Sequence, residues 1–203
     1  MERNENRMDI ILASKSPRRR ALLEQMGVRS FRVVTPDIDE HMDRDLPPAE
    51  LVRQISEEKA RAVAAQVGPD AIVIAADTVV ALDGAVLGKP ADQEEAFRML
   101  SILSGCRHQV YTGLTVLRGE RVYSVWEETA VTFRSLTGEE IEAYIDTGEP
   151  MDKAGAYGIQ GYGALLIEGI SGDYYNVMGL PVCRLGQILG ELGINCMALA
   201  AGV

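Results

Sequence analysis

Short apolar runs alternate along the chain with stretches of helical period. The opening run, MDIILAS, is rich in branched apolar residues and reads as a buried strand starting near Met8. SPRRRALLEQMG follows at once as a helix, with Ser16 placed to cap it, Pro17 at its first position and Gly27 placed to close it. FRVVTP reads as a second strand, and the polar, Pro-containing residues 37–48 read as a loop carrying Asp39, Glu40 and His41. Over residues 49–66, Leu51, Val52, Ile55, Ala62 and Val63 recur at helical spacing, with Lys59 on the same face, where it should border a buried surface.

AIVIAADTVVALDG is nearly continuous β-type sequence; Asp83-Gly84 signals a hairpin, AVLG is the return strand, and Asp77 falls mid-strand. Residues 92–104 predict a helix ended by Gly105. Residues 109–117 and 121–133, joined at Arg118-Gly119-Glu120, predict an antiparallel ribbon. Thr137 with Glu140 forms a capping box for a helix running to about Asp146. In DKAGAYGIQGYGALLIEGISG, the glycines at 155, 158, 161 and 163 suggest a backbone that approaches something closely, before a strand over 164–170. Pro181 starts a final helix ending near Gly193. No internal repeat, low-complexity block or linker interrupts the chain. The expectation is an α/β fold with a mixed, elongated sheet rather than a doubly wound one, in one domain over 8–203 after a disordered leader over 1–7.

Composition narrows the partners more than the fold. With 203 residues, 47% hydrophobic and 25% charged, the chain has the make-up of an ordinary globular protein, long enough for one core or for two small lobes sharing a cleft. A formal charge of −10 argues against broad binding to nucleic acid or anionic membrane. A compact anion remains admissible if some of the 20 Lys and Arg are concentrated in one place, with help from a divalent cation. Cys106, Cys183 and Cys196 are odd in number and far apart, which suits a reducing compartment better than a disulfide framework. With no apolar run long enough for a signal core or a membrane span, a cytoplasmic location is expected.

The strand-to-helix loop from Ser14 to Arg19 suits an anion, because unpaired backbone N–H groups and the helix dipole meet hydroxyls and guanidiniums there. A plain helix start with solvated arginines is the competing account, and the pattern is not a Walker loop. Asp77, in AADT, is a carboxylate inside an apolar strand, costly unless paired, hydrogen-bonded or coordinated; it is either functional or a structural strand-end acid. Lys59 and Lys89, the latter in Gly-Lys-Pro after the hairpin, are candidate phosphate ligands or ordinary snorkelling lysines. Asp39 and Glu40 are surface charge or part of an Mg²⁺ site. His41 and His108 lack zinc-ligand spacing. Asp152-Lys153 reads as a structural ion pair. Gln160, flanked by glycines, is a turn residue or a reader of a nucleobase edge.

Taken together, ASKSPRRRALL, the Lys59 helix, AADTVV, LGKP, LSG with His108 four residues after Ser104, and EPMDKAGAYGIQG resemble the Maf family, historically called septum formation proteins. The resemblance runs in order from about Met8 to Leu189. It implies a nucleoside triphosphate pyrophosphatase, similar in architecture to the inosine triphosphate pyrophosphatases, with two lobes around a central cleft and often dimeric. It places the family's proton-accepting aspartate on Asp77, and three positions that separate its branches on Arg18, Thr78 and Gln160, all matching the dTTP/UTP branch. Two departures stand out: Lys15 occupies a position where small residues are common, and the loop over 37–48 aligns only with an insertion.

The implied mechanism has Arg18, Arg19, Lys59 and Lys89 gathering the triphosphate, with Ser14 and Ser16 adding hydrogen bonds. Mg²⁺ or Mn²⁺ sits on Glu40 and Asp77, and Asp77 directs water at the α-phosphorus. Thr78 and Gln160 select the base. The rival expectation is a nucleotide-binding regulator of cell division that needs no turnover.

Overall fold

The computed structural model describes residues 9–38 and 46–202. The expected leader, and Asp39, Glu40 and His41, therefore lie outside the described residues.

The strands are β1 (Ile10–Leu12), β2 (Arg32–Val33), β3 (Ile72–Leu82), β4 (Ala85–Leu87), β5 (Arg107–Arg118), β6 (Arg121–Phe133) and β7 (Ile167–Ser171). They form a seven-stranded mixed sheet in the order β2-β1-β3-β5-β6-β7, with β4 also paired to β3. β1 is parallel to β2 and β3; the pairs β3–β5, β5–β6 and β6–β7 are antiparallel. The helices are α1 (Pro17–Gln25), α2 (Pro48–Ala64), α3 (Gln93–Leu103), α4 (Gly138–Asp146), α5 (Tyr174–Met178), α6 (Val182–Glu191) and α7 (Cys196–Ala201). Among the described residues, no helix is long and apolar enough to cross a membrane.

β3 is the spine of the molecule, and its alternating side chains divide the core. On one face Ile72, Ile74 and Ala76 pack with Leu22 and Leu23 of α1 and Leu185 and Leu189 of α6. Further along that face Val80 joins a second cluster built on Leu100 and Leu103 of α3 and Ile141 and Ile145 of α4. Thr78 falls between the two clusters, which form the two lobes. On the opposite face Val73 and Ala75 pack beneath Ala60 and Val63 of α2. In α2, Leu51, Val52, Ile55 and Val63 are each at most 2% exposed, and burial of each stabilises the fold by roughly 2 kcal/mol. That stripe docks the helix against the sheet.

The edge of β3 away from β5 is shared by two strands that do not meet. β1 pairs with Ile72, Val73 and Ile74, and β4 with Val80, Ala81 and Leu82. Between them, among the described residues, that edge has no strand partner. β1 runs into this notch from one side and ends in the Ser14–Arg19 loop; β4 leaves toward it from the other and ends in Gly88-Lys89.

Several expected boundaries shift. The predicted strand over 164–170 begins only at Ile167, because a 3₁₀ turn, Gly161–Leu166, takes the preceding residues. The carboxylate of Glu149 enforces the turn by accepting from the N–H groups of Tyr162 and Gly163, each at 3.0 Å. The second strand shortens to Arg32–Val33. Helices α5 and α7, held at their starts by the side chains of Asp173 and Asn195, have five and six residues, too few for a period to register.

Candidate active site

The notch in the sheet opens into a cleft of about 740 Å³. It explains how Asp77 and Thr78, consecutive residues pointing to opposite faces of β3, both line the same space. Every expected site residue that is described lines it: Ser14, Ser16, Arg18, Arg19, Lys59, Asp77, Thr78, Lys89 and Gln160. Among the described residues, six cationic side chains reach its wall, those of Lys15, Arg18, Arg19, Lys59, Lys89 and Lys153, against two carboxylates, Asp77 and Asp152. In a chain of net charge −10 this is the concentration of positive charge that an anionic ligand requires.

The N-terminal wall is set by the start of α1. Ser16 caps the helix by accepting from Arg19 N at 3.4 Å, and Pro17 occupies the first turn, where no N–H is needed. The buried Ser14 Oγ accepts from Ser16 N at 3.1 Å and from Arg19 Nη1 at 3.4 Å. Both its lone pairs are thereby engaged and its proton is left to donate, the polarity a phosphate oxygen needs. Arg19 is wedged across the wall, with Nε donating to Gly179 O at 2.6 Å and Nη2 to Thr78 Oγ1 at 3.0 Å. Arg18 spans the mouth of the cleft, Nη1 to Asp152 Oδ2 at 3.1 Å, and Lys153 Nζ holds the other oxygen of Asp152 at 2.6 Å.

On the α2 face, Lys59 Nζ donates to Asp77 Oδ1 at 2.6 Å, with side chains only 8% and 13% exposed. The lysine thus borders a buried surface as its position on the apolar stripe predicts, and the carboxylate inside an apolar strand has the partner it needs. Gly113, opposite Asp77 on β5, makes the approach possible: a Cβ there would stand 2.0 Å from the carbonyl oxygen of Val52 in α2.

Residues 9–192 match the family described as Maf-like protein. The chain belongs to the Maf-like family. It is 53% identical to a protein of Symbiobacterium thermophilum over 95% of this chain and 98% of that one. It is 52% identical to a protein of Moorella thermoacetica over 92% of this chain and 96% of that one. It is 52% identical to one of Carboxydothermus hydrogenoformans over 92% of this chain and all of that one. Each of the three is named dTTP/UTP pyrophosphatase. A solved nucleoside-triphosphatase / dITP/XTP pyrophosphatase from Mycobacterium abscessus aligns over 62% of this chain and 73% of that one, with a TM-score of 0.40 and 15% identity. A likeness that slight says nothing about substrate or site.

The glycine-rich segment of this Maf-like protein is pinned at both ends. Gly155, at φ +66°, donates its N–H to Gly88 O at 2.9 Å, and a Cβ on it would stand 2.8 Å from the Val80 side chain. At the far end Glu149 also accepts from the Tyr144 hydroxyl at 2.9 Å. Burial opposes the charge of Glu149, but the N–H groups of Tyr162 and Gly163 hold its carboxyl below the usual range. Gln160 lies on the stretch between these anchors. Tyr157, on the same stretch, lines the cleft and hydrogen-bonds the buried His108 through Nε2 at 2.7 Å. Burial pushes the tyrosine up and the imidazole down to about 4, so both remain neutral near pH 7.

Four contributors do not stand out in the Maf-like sequence: Gly113, Thr112, Glu149 and Asn176. Asn176, in the otherwise apolar run YYNVMGL, carries a signal that could have found it, since a buried amide there must find backbone partners. The expected ion pair of Lys153 with Asp152 is present, and Lys153 lines the cleft as well.

Proposed function

We propose that this Maf-like protein hydrolyses nucleoside triphosphates, with dTTP and UTP preferred, to the nucleoside monophosphate and diphosphate. The names of its relatives support the substrate class. The observation that carries the proposal is the meeting of three cationic elements, the Ser14–Arg19 loop, Lys59 and Lys89, around one carboxylate, Asp77, at the notch in the sheet.

In this mechanism Arg18, Arg19, Lys59 and Lys89 bind the triphosphate, and Ser14 and Ser16 hydrogen-bond its oxygens. Asp77 orients a water toward the α-phosphorus and takes its proton. Most of the acceleration comes from positioning and from charge already in place, as in other phosphoryl transfers. The donor set at Asp77 suits Mg²⁺ or Mn²⁺ that arrives with the nucleotide, since one or two carboxylates plus substrate phosphates are what such a hard ion accepts. Among the described residues no cluster of three or more acids, histidines or cysteines forms a protein-only cage. Asp77 would hold the ion together with Glu40, and the ion would neutralise charge on the phosphates. Thr78 and Gln160 select the base, with Arg18 as a further determinant. The protein works in the cytoplasm as one catalytic domain, alone or as a homodimer, with neither nucleic acid nor membrane as partner.

The test is diphosphate release from a panel of nucleotides with Mg²⁺ or Mn²⁺, comparing the wild type with Asp77→Asn. The expected result is metal-dependent release from dTTP and UTP, reduced at least about a hundredfold in the variant. Wild-type rates in Asp77→Asn would remove Asp77 as the base. Binding without release would point to a nucleotide-sensing regulator, and orthophosphate in place of diphosphate to a general phosphatase.

A further inference from the structure

The floor of the cleft carries a chain of hydroxyls whose direction the geometry fixes. Thr112 Oγ1, fully buried, lies 2.8 Å from the carbonyl oxygen of Asn176, which can only accept, so Thr112 donates its single proton there. Thr78 Oγ1 lies 2.9 Å from Thr112 Oγ1. With the Thr112 proton committed, Thr78 must be the donor in that contact. Arg19 Nη2, which can only donate, fills one lone pair of Thr78 at 3.0 Å. The order runs Arg19 to Thr78 to Thr112 to Asn176, and it leaves Thr78 one lone pair and no proton for a ligand.

The far end of the chain is held firmly. Asn176 is itself fully buried, and its Nδ2 donates to Val110 O at 2.9 Å and to Thr129 Oγ1 at 3.0 Å. Thr129 Oγ1 donates in turn to Asp173 O at 2.8 Å. These bonds fasten α5 to β5 and β6, so the carbonyl that takes the Thr112 proton cannot swing away.

We propose that Thr112 is a positioning residue that holds the Thr78 hydroxyl as an acceptor, so that Thr78 reads an N–H on the pyrimidine edge and not the triphosphate. The proposal rests on the reading of the cleft as a nucleotide site. Ionised phosphate oxygens are acceptors and gain nothing from an acceptor-only hydroxyl, whereas Ser14, held by the other terminal nitrogen of the same Arg19 guanidinium, has the donor they need. Uracil and thymine carry a proton on N3; cytosine presents a bare acceptor at that atom. A locked acceptor therefore favours the first two, because a mismatched pair leaves both groups unsatisfied.

The test is calorimetric binding of the non-hydrolysable α,β-methylene analogues of UTP, CTP and 3-methyl-UTP, the last having neither proton nor lone pair to offer at N3. Wild type, Thr112→Val and Thr112→Ser are compared. Wild type should bind the UTP analogue at least about tenfold more tightly than either of the others. In Thr112→Val the Thr78 hydroxyl is free to turn and donate, so the gap to CTP should close by about tenfold while the gap to 3-methyl-UTP persists. Thr112→Ser keeps the chain and should keep both ratios. Thermal unfolding of each variant establishes that it is folded, and if Thr112→Val is not, Thr78→Val, which leaves no hydroxyl to orient, must abolish the preference for UTP over CTP. An unchanged CTP gap in Thr112→Val overturns the proposal, as does a parallel closing of both gaps, which would signify mere loosening of the site. Because binding is the readout, these outcomes are independent of whether diphosphate is released.

Discussion

Asp77 and Thr78 are adjacent in the chain, yet they belong to different halves of the molecule. Asp77 faces α2, where its neighbour is a nearly buried lysine and the interaction is one of full charges at 2.6 Å. Thr78 faces α1 and α5, where the contacts are hydroxyl, carbonyl and guanidinium, and the information they carry is the direction of a proton. Strand alternation separates the two environments, and the edge left without a strand partner between β1 and β4 among the described residues lets both open into one cleft. In the proposed function the reacting carboxylate and its lysine work from the α2 side of the sheet and base choice from the α5 side, with Arg19 of α1 hydrogen-bonding both Ser14 and Thr78 where the two meet. Changes on the α2 face should then alter rate, and changes on the α5 face should alter ratios between substrates.

The strongest test of that division is Lys59→Met, which keeps the length of the side chain and removes its charge. Asp77 is left partly buried without that partner, and the fold should lose roughly 2 to 4 kcal/mol, read as a drop in melting temperature. Hydrolysis of UTP and CTP should fall together by on the order of a hundredfold, with their ratio unchanged. A shift in the ratio would show that the two faces are not separate.

A milder change on the same side is Gly113→Ala. The added methyl would meet the backbone of α2, not a flexible side-chain end, so the helix must move off the sheet and carry Lys59 with it. A destabilisation of about 1 to 3 kcal/mol is expected, with a rate loss smaller than in Lys59→Met and again no change of ratio. Denaturant titration and steady-state kinetics measure the two effects. Full activity despite the loss of stability would mean that the spacing of Lys59 and Asp77 is not what Gly113 protects.

The same contrast explains what could be read from the chain before its structure. The α2 face was legible because a lysine on an apolar helical stripe and an aspartate inside an apolar strand are each costly alone, and each announces a partner. The Ser14–Arg19 loop announced itself through its cap and proline, and the β3–β4 hairpin through Asp83-Gly84. Thr112 and Gly113 gave no such sign, since a threonine and a glycine in a long strand break no rule; their significance comes from what crosses the sheet from α5 and α2. The strand expected at 164 yielded to a 3₁₀ turn because Glu149, a dozen or so residues earlier, captures its N–H groups. Glu40 lies outside the described residues.

The smallest effect should come from Arg18, whose guanidinium belongs to neither face. It reaches across the cleft mouth to Asp152, an acid more than half exposed and shared with Lys153. Exposed pairs of this kind contribute little, so Arg18→Gln should change stability by less than about 1 kcal/mol. If Arg18 acts on substrates through its charge at the entrance, KM should rise several-fold for UTP and CTP alike, with kcat nearly constant. An additional change confined to one of the two nucleotides would bear out the further role in base choice proposed for Arg18, and would carry part of that function beyond β3 to the start of α1.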